Sequence, residues 1–400
     1  MDKEGTLYRS KPIAPIAMVV LEGAKGLGAL IDAHLVRWAN EREDVVPGAA
    51  SVLGAASASG ASASVTTRIK PGKCPRFASG DGKGILEESV RGCDLFFVVD
   101  IGNYSCTYEL FGKQNVMSPD DHFQDLKRLI QAASGKAHRL NVIMPLLYGG
   151  RQHRRNYRES LDCAVALQEL ERMGVSNIIT FDAHDPRVSN AVPLMGFDNI
   201  TPSYQVLKTL FKTFPDLKIS RDTFMVVSPD EGALNRNMYY ASVLEVELGM
   251  FYKRRDYSRI VSGMNPIAAH EYLGGSVVGK TVFIADDIIS SGKSVLDIAI
   301  KLKSRGAASV VAYATYAIFT HGLDTFDKAH ADGIIDYVFG TNLTYLPPEL
   351  LARPWFREVD VSKYIAYLMA GLNCDLSTEK VIDPHFKIEK LLEKNGVKAV

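Results

Sequence analysis

Short, unbroken apolar runs punctuate the chain, and they constrain its fold more than any other feature. Leu95–Asp100, Arg139–Leu146, Asn177–Asp182, Thr223–Val227, Thr281–Ala285, Val310–Ala317 and Ile334–Gly340 are rich in Val, Ile and Phe and do not alternate with polar residues. A strand with one solvated face alternates, whereas a strand covered on both faces does not. Amphipathic stretches fall between the runs, at Asp120–Ala133, Ser160–Met173, Ser203–Thr213, Glu231–Leu248, Ser294–Arg305, His321–Ala331 and Ser362–Gly371. The pattern predicts an α/β fold of mainly parallel sheets flanked by helices.

Two of the runs have a common plan. Asn177-Ile-Ile-Thr-Phe-Asp-Ala-His-Asp185 is an apolar strand that ends in acidic and polar residues, and Lys280-Thr-Val-Phe-Ile-Ala-Asp-Asp287 repeats it about a hundred residues later. Ligands of open α/β sheets sit beyond the carboxyl ends of strands. Two α/β domains of related design are expected, with a break near Ile200–Pro202. A length of 400 residues accommodates them, at roughly 150 residues per domain.

Two segments lie outside this plan. Pro12–Leu21 is apolar and follows Arg9 and Lys11, as a secretory signal would. Asp2 and Glu4 spoil a basic leader, however, and no small-x-small cleavage site follows, so a buried first strand running into a helix Lys25–Trp38 is the better reading. In Gly48–Thr66, fifteen of nineteen residues are Ala, Ser or Gly. Such a stretch buries too little apolar surface to offset its ordering entropy, and it is expected as a surface loop or flexible insertion.

Lys plus Arg is 46 and Asp plus Glu is 46, so the formal net charge is zero, and 46% of residues are hydrophobic. This excludes a global basic footprint for nucleic acid or an anionic membrane surface, and it excludes disorder of the whole chain. No run approaches the ~20 apolar residues that span a bilayer. Cys74, Cys93, Cys106, Cys163 and Cys374 form an odd, sparse set without a C-x-x-C pair, which predicts free thiols in a reducing cytoplasm rather than a disulfide framework or zinc site.

The chemistry concentrates in Val282-Phe-Ile-Ala-Asp-Asp-Ile-Ile-Ser-Ser-Gly-Lys-Ser294, followed by a helix. Loop N–H groups and the positive end of the helix dipole make a phosphate cradle. Ser290, Ser291 and Ser294 add hydroxyl donors, and Gly292 permits positive φ or close backbone approach. Asp286 and Asp287 stand where a sugar diol would donate to carboxylates. Gly292-Lys293-Ser294 looks like a Walker A ending, but that motif needs a glycine where Asp287 stands. The plainer alternative is an Asp-rich turn with a Ser helix cap. Elsewhere, Arg151, Arg154 and Arg155 with Gln152 follow a strand and a Gly-Gly pair; guanidinium forks suit phosphate oxygens and an amide suits an adenine edge. Lys253, Arg254, Arg255 and Arg259 form a second basic cluster before a stretch, Ser262–Pro266, expected to be mobile.

The Asp286–Ser294 segment resembles the ribose-phosphate loop of proteins with the type I phosphoribosyltransferase fold. Further segments, in family order, narrow the resemblance to the ribose-phosphate pyrophosphokinase family. They are Pro75-Arg-Phe-Ala-Ser-Gly-Asp81 with Ser89–Asp94, Pro145–Arg155, Phe181-Asp-Ala-His184, Val227-Ser-Pro-Asp-Glu-Gly232 and Lys253-Arg-Arg255. The resemblance implies two phosphoribosyltransferase-like domains: 1–201 on the ATP side, 202–361 on the ribose 5-phosphate side, and a helical tail 362–400 packing back on the first. It implies pyrophosphoryl transfer from ATP to O1 of ribose 5-phosphate, with Mg²⁺. Phe77, Ser79 and Asp81 would meet the adenine from a neighbouring subunit of a dimer-based homo-oligomer such as a hexamer. Arg151, Gln152 and His153 would hold ATP. His184 and Asp230 would hold Mg²⁺. Asp230, Asp286, Asp287, Ser290, Ser291, Gly292, Lys293 and Ser294 would hold ribose 5-phosphate, and Lys253 and Arg255 would close over the ATP phosphates.

The chain departs from that pattern at Ser79 and Asp81, where the family has Asp and Glu, at His153 for an Asp, and at Lys293 for a small residue. These departures support an alternative, a catalytically inactive regulatory homologue. A phosphoribosyltransferase that consumes the product is the other, although it needs no ATP clamp.

Overall fold

The computed structural model describes residues 10–45, 65–133, 135–155, 157–255 and 267–397. Most of the Ala/Ser/Gly insertion, 46–64, lies outside the described residues, as does 256–266, which contains Arg259 and Ser262–Pro266. The chain divides into two compact units. One is Met1–Thr201 with Asn342–Tyr345 and Val361–Ile382, and the other is Pro202–Thr341 with Leu346–Asp360 and Asp383–Val400.

The first unit begins with β1 (Ile16–Val20) and α1 (Lys25–Val45), the strand and helix expected for that segment. There follow the short strands β2 (Gly72–Lys73) and β3 (Ile85–Leu86), then β4 (Asp94–Val98), a hairpin of β5 (Thr107–Leu110) and β6 (Lys113–Val116), and α2 (Pro119–Ala133). β7 (Arg139–Ile143), α3 (Asp162–Arg172), β8 (Val175–Phe181) and β9 (Gly196–Ile200) complete the alternation. The sheet order is β1-β4-β7-β8-β9, and every pairing is parallel. β4 is buried along its whole length, which is why its sequence does not alternate. Phe97, Leu126, Leu129, Val142, Leu167 and Ile178 join one core, and a fully buried side chain of this size contributes about 1.5–3 kcal/mol.

The second unit holds α4 (Ser203–Thr213), β10 (Phe224–Ser228), α5 (Leu234–Leu244), β11 (Glu247–Arg255) and β12 (Ile267–Leu273). It continues with β13 (Thr281–Ile289), α6 (Lys293–Ser304), β14 (Ser309–Ala317), α7 (Asp324–Ala331), β15 (Tyr337–Thr341), α8 (Pro348–Leu351) and β16 (Phe356–Val359). Its sheet order is β12-β11-β10-β13-β14-β15-β16, parallel except for the antiparallel edge pair β11/β12. The helix expected over Glu231–Leu248 is shorter than its periodicity suggests. Glu245 takes a left-handed φ of 54° and the Val246 N–H bonds back to the Ala241 carbonyl, so Glu247 and Leu248 start a strand instead.

The tail beyond Val361 divides. α9 (Ser362–Asn373) and α10 (Glu379–Ile382) pack in the first unit, whereas α11 (His385–Lys394) follows Pro384 and packs on α4 of the second, burying Ile388 and Leu392. A buried polar network fixes α9. Asp94 at the start of β4 accepts from Arg139 Nε and Nη2 at 2.9 and 2.7 Å, from Asn141 at 2.8 Å and from Asn373 of α9 at 3.0 Å. Arg139 also donates to the Leu372 carbonyl at 2.8 Å. Every acceptor site of this buried carboxylate that matters is occupied, which is the condition for a charge to stay inside.

Candidate active site

In the first unit the site residues lie on three segments near the carboxyl ends of strands or on the loop before β3. The turn at 77–81 is tight: Phe77 N–H donates to the Asp81 carbonyl at 2.7 Å, Gly80 N–H to the Phe77 carbonyl at 2.8 Å, and Ser79 Oγ to Asp81 Oδ2 at 2.8 Å. Phe77 is left 54% exposed, with Lys83 Nζ 5.6 Å from its ring centroid. An aromatic face held open by a rigid turn suits the stacking of a planar base. Arg76, beside it, is anchored by both nitrogens on Asp125 of α2 at 2.6 and 3.0 Å.

After β7 comes the turn 147–155. Gly149 has a φ of 65°, and a Cβ there would sit 2.9 Å from the Cys163 backbone nitrogen, so only glycine fits. Tyr148 donates its hydroxyl to Asp120 of α2 at 2.6 Å and stacks on Phe123. Gln152 spends its amide nitrogen on the carbonyls of Arg154 and Ser160, at 3.3 and 2.9 Å, and so braces this loop from within. Arg151, Arg154 and Arg155 are exposed. After β8, Asp182 is buried at a left-handed φ of 46°, and His184 is exposed. Its ring lies 5.4 Å from that of His153, whose Nε2 is 3.4 Å from Asp185 Oδ2. The Arg187 guanidinium bonded to Asp185 holds that carboxyl well below the usual carboxylate range.

In the second unit, β13 carries Asp286 and Asp287 to its carboxyl end and runs on to Ile289. Burial first, and the neighbouring Asp287 second, push the Asp286 carboxyl up to about 8, against the pull of the Arg236 guanidinium at 3.9 Å. The pair is therefore primed for partners that relieve its charge, such as hydroxyl donors. Ser290, Ser291 and Gly292 lead into α6. Gly292 caps that helix at φ 77°, and a Cβ there would fall 2.1 Å from the Phe326 ring. The unbonded N–H groups of the first helical turn face the cradle. Lys293 and Ser294 are exposed. Thr320 closes one side, donating its N–H to the Ser290 carbonyl at 2.9 Å. Asp230 turns the loop after β10, accepting the Ala233 N–H at 3.2 Å. Lys253 and Arg255 stand where β11 has run past β10 and pairs with β12 alone, at Lys253↔His270 and Arg255↔Ile267 with a bulge between Arg254 and Arg255.

Three residues of this half escaped the sequence reading. Arg236 and Asn237 are on α5, and Thr320 follows β14. Asn237 had a signal: it shares the buried face Ala233, Asn237, Tyr240, Ala241 and Leu244, where an amide has to find partners. His184 and Asp230 belong to different units, and among the described residues no group of three His, Cys, Asp or Glu side chains comes together to hold a metal.

Two family models match the chain in tandem. Residues 54–174 match the N-terminal domain of ribose phosphate pyrophosphokinase, and residues 197–337 match the phosphoribosyl transferase domain. The chain belongs to the ribose-phosphate pyrophosphokinase family. A ribose-phosphate pyrophosphokinase of Burkholderia pseudomallei is 29% identical over 73% of this chain and 83% of its own length, and one of Oceanobacillus iheyensis is 29% identical over 62% and 71%. The crystal structure of phosphoribosylpyrophosphate synthetase from Mycobacterium smegmatis has the same fold, with a TM-score of 0.67 and 18% identity over 90% of this chain and 98% of that one. Both halves described above thus lie within or beside segments that the family models cover, and the hairpin β5–β6 lies within the first.

Proposed function

We propose that this protein is a ribose-phosphate diphosphokinase: ribose 5-phosphate O1 attacks the β-phosphorus of ATP, and the pyrophosphoryl group moves as one unit to give phosphoribosyl pyrophosphate and AMP. Membership of the family supports this, and the observation that carries it is the β13–α6 segment, where a charge-strained aspartate pair adjoins a helix-capped cradle. Asp286 and Asp287 accept the 2- and 3-hydroxyls of the ribose. Ser290, Ser291, Gly292, Lys293 and Ser294 receive the 5-phosphate, a dianion that offsets the exposed amides of a helix start.

On the nucleotide side, Phe77 stacks the adenine with Ser79 and Asp81 at its edge, while Arg151, Gln152 and His153 hold the ATP turn. The exposed Phe77 ring suits a site completed by a second subunit, and we read the protein as a dimer-based homo-oligomer. Little covalent work falls to the protein in such a transfer, so positioning and charge neutralisation dominate. Lys253 and Arg255 supply that neutralisation by closing over the phosphates.

Mg²⁺ takes one or two protein ligands and completes its shell with water and phosphate oxygens, so a sparse donor set fits it. We assign it to His184 and Asp230. When bound, it screens charge on the ATP phosphates. None of the five cysteines is in a disulfide and no described helix is long and apolar enough to cross a membrane, and we place the protein in the cytoplasm.

The test is AMP release from ATP in the presence and absence of ribose 5-phosphate and Mg²⁺. Release that depends on both is expected. A well-folded protein that releases no AMP is an inactive homologue, and one that releases pyrophosphate from the product with a base acceptor is a phosphoribosyltransferase.

A further inference from the structure

The β5–β6 hairpin takes no part in the reactions assigned above, yet its design is specific. Leu110 and Lys113 pair across a two-residue turn, and Phe111 and Gly112 both adopt left-handed φ, 50° and 69°. That is the tight turn whose twist matches paired strands, and it fixes their register. Glycine is at home there; a phenylalanine that is 81% exposed is not. The register set by this turn puts Tyr108 and Leu110 on one half-buried face and Thr107 and Glu109 on the exposed one.

Both inward residues meet the loop that carries Phe77. The Arg76 guanidinium lies 5.2 Å from the centroid of the Tyr108 ring, while its nitrogens are fixed on Asp125. Leu110 reaches the turn itself: a Cβ added to Gly80 would stand 2.7 Å from Leu110 Cδ1. Gly80 has a φ of 94° and closes the turn that presents Phe77. Arg76 and Gly80 flank the Phe77–Ser79 segment, so the hairpin touches the loop on both sides of the exposed ring.

We propose that the β5–β6 hairpin is a positioning element for nucleotide recognition, with Tyr108 and Leu110 setting where the Phe77–Asp81 turn stands. The proposal rests on the nucleotide reading of that turn. Neither residue touches substrate; each acts through Arg76 or Gly80. Loss of the Tyr108 ring frees one face of a guanidinium next to Phe77, and loss of the Leu110 side chain frees the turn at Gly80. Both changes loosen the base site and leave the ribose-phosphate half untouched.

The experiment is steady-state kinetics of the full-length protein with ATP and ribose 5-phosphate varied separately, and with GTP in place of ATP. Tyr108→Ala and Leu110→Ser are expected to raise KM for ATP about fivefold, the factor that corresponds to a lost cation–π contact, and to narrow the preference for ATP over GTP. kcat at saturating ATP and KM for ribose 5-phosphate stay as in the wild type. Tyr108→Phe, which keeps the ring, restores the wild-type KM. Phe111→Ser, at the exposed tip, keeps wild-type kinetics. Tyr108→Leu preserves apolar cover and replaces the alanine variant should that one fail to fold. An unchanged KM for ATP in folded Tyr108→Leu and Leu110→Ser proteins overturns the proposal, as does an equal rise in KM for both substrates. A wild-type protein that releases no AMP overturns the nucleotide reading and this proposal together.

Discussion

The Asn237 amide donates to the Ala285 carbonyl at 2.7 Å, and its oxygen accepts the Ala285 N–H at 3.1 Å. Through this one side chain α5 is bonded to β13 at the residue that precedes the aspartate pair. The same nitrogen also reaches Ser228 Oγ at 3.3 Å, at the end of β10. Asn237→Ala leaves a buried carbonyl and N–H without their partner, which costs about 1–3 kcal/mol per group. A fall in urea-unfolding free energy of about 2 kcal/mol is expected, with a raised KM for ribose 5-phosphate. A folded variant with wild-type KM would show that this bond is structural only.

Gly292→Ala tests the cradle. The new Cβ would overlap the Phe326 ring and occupy a backbone conformation that costs an alanine about 1–2 kcal/mol. We expect KM for ribose 5-phosphate to rise at least about tenfold, each factor of ten being about 1.4 kcal/mol, with KM for ATP little changed. Binding of ribose 5-phosphate alone, followed by calorimetry, reads the same loss without turnover.

Lys253→Ala should lower kcat at least ~10²-fold, the loss expected for a donor to transition-state charge, while ribose 5-phosphate affinity stays near the wild type. Near-normal turnover would remove Lys253 from the mechanism.

The Asp286 carboxyl titrates near its ordinary value of 3.8 in the unfolded chain and at about 8 in the fold. Between those values the folded state binds the extra proton, so the unfolding free energy of the ligand-free protein falls as pH rises from about 4 to about 8. Asp286→Asn removes this contribution. Its stability curve, from urea unfolding across that range, should be flatter than the wild type's, and parallel curves would contradict the raised value.

Asp94→Ala strands Arg139, Asn141 and Asn373 inside the first unit. Breaking a buried charge pair from one side costs about 3–5 kcal/mol, and a large drop in Tm is the expected readout.

The central strands and their ligand-bearing ends were legible because continuous Val, Ile and Phe runs leave few alternatives to a buried parallel strand. β9, β12 and β16 were not. Gly196–Ile200 and Ile267–Leu273 carry polar residues, as edge or near-edge strands do, and Phe356–Val359 has four residues. The end of α5 was misread because periodicity ran through Glu245, whose left-handed backbone leaves no trace in a one-letter pattern. In the site, the loops after β8 and β13 announced themselves by composition. Arg236 and Thr320 did not, because each acquires meaning only from what the fold places beside it, Asp286 in one case and Ser290 in the other.

Helix α2 receives Tyr148 from one nucleotide-facing segment at Asp120 and Arg76 from another at Asp125. Two stretches seventy residues apart in the chain therefore share one mount. A substitution that tilts α2 moves the base-facing ring and the phosphate-facing turn by related amounts, so their spacing is preserved better than the position of either. Nucleotide selectivity in this protein can consequently drift through changes in a helix that never meets the nucleotide.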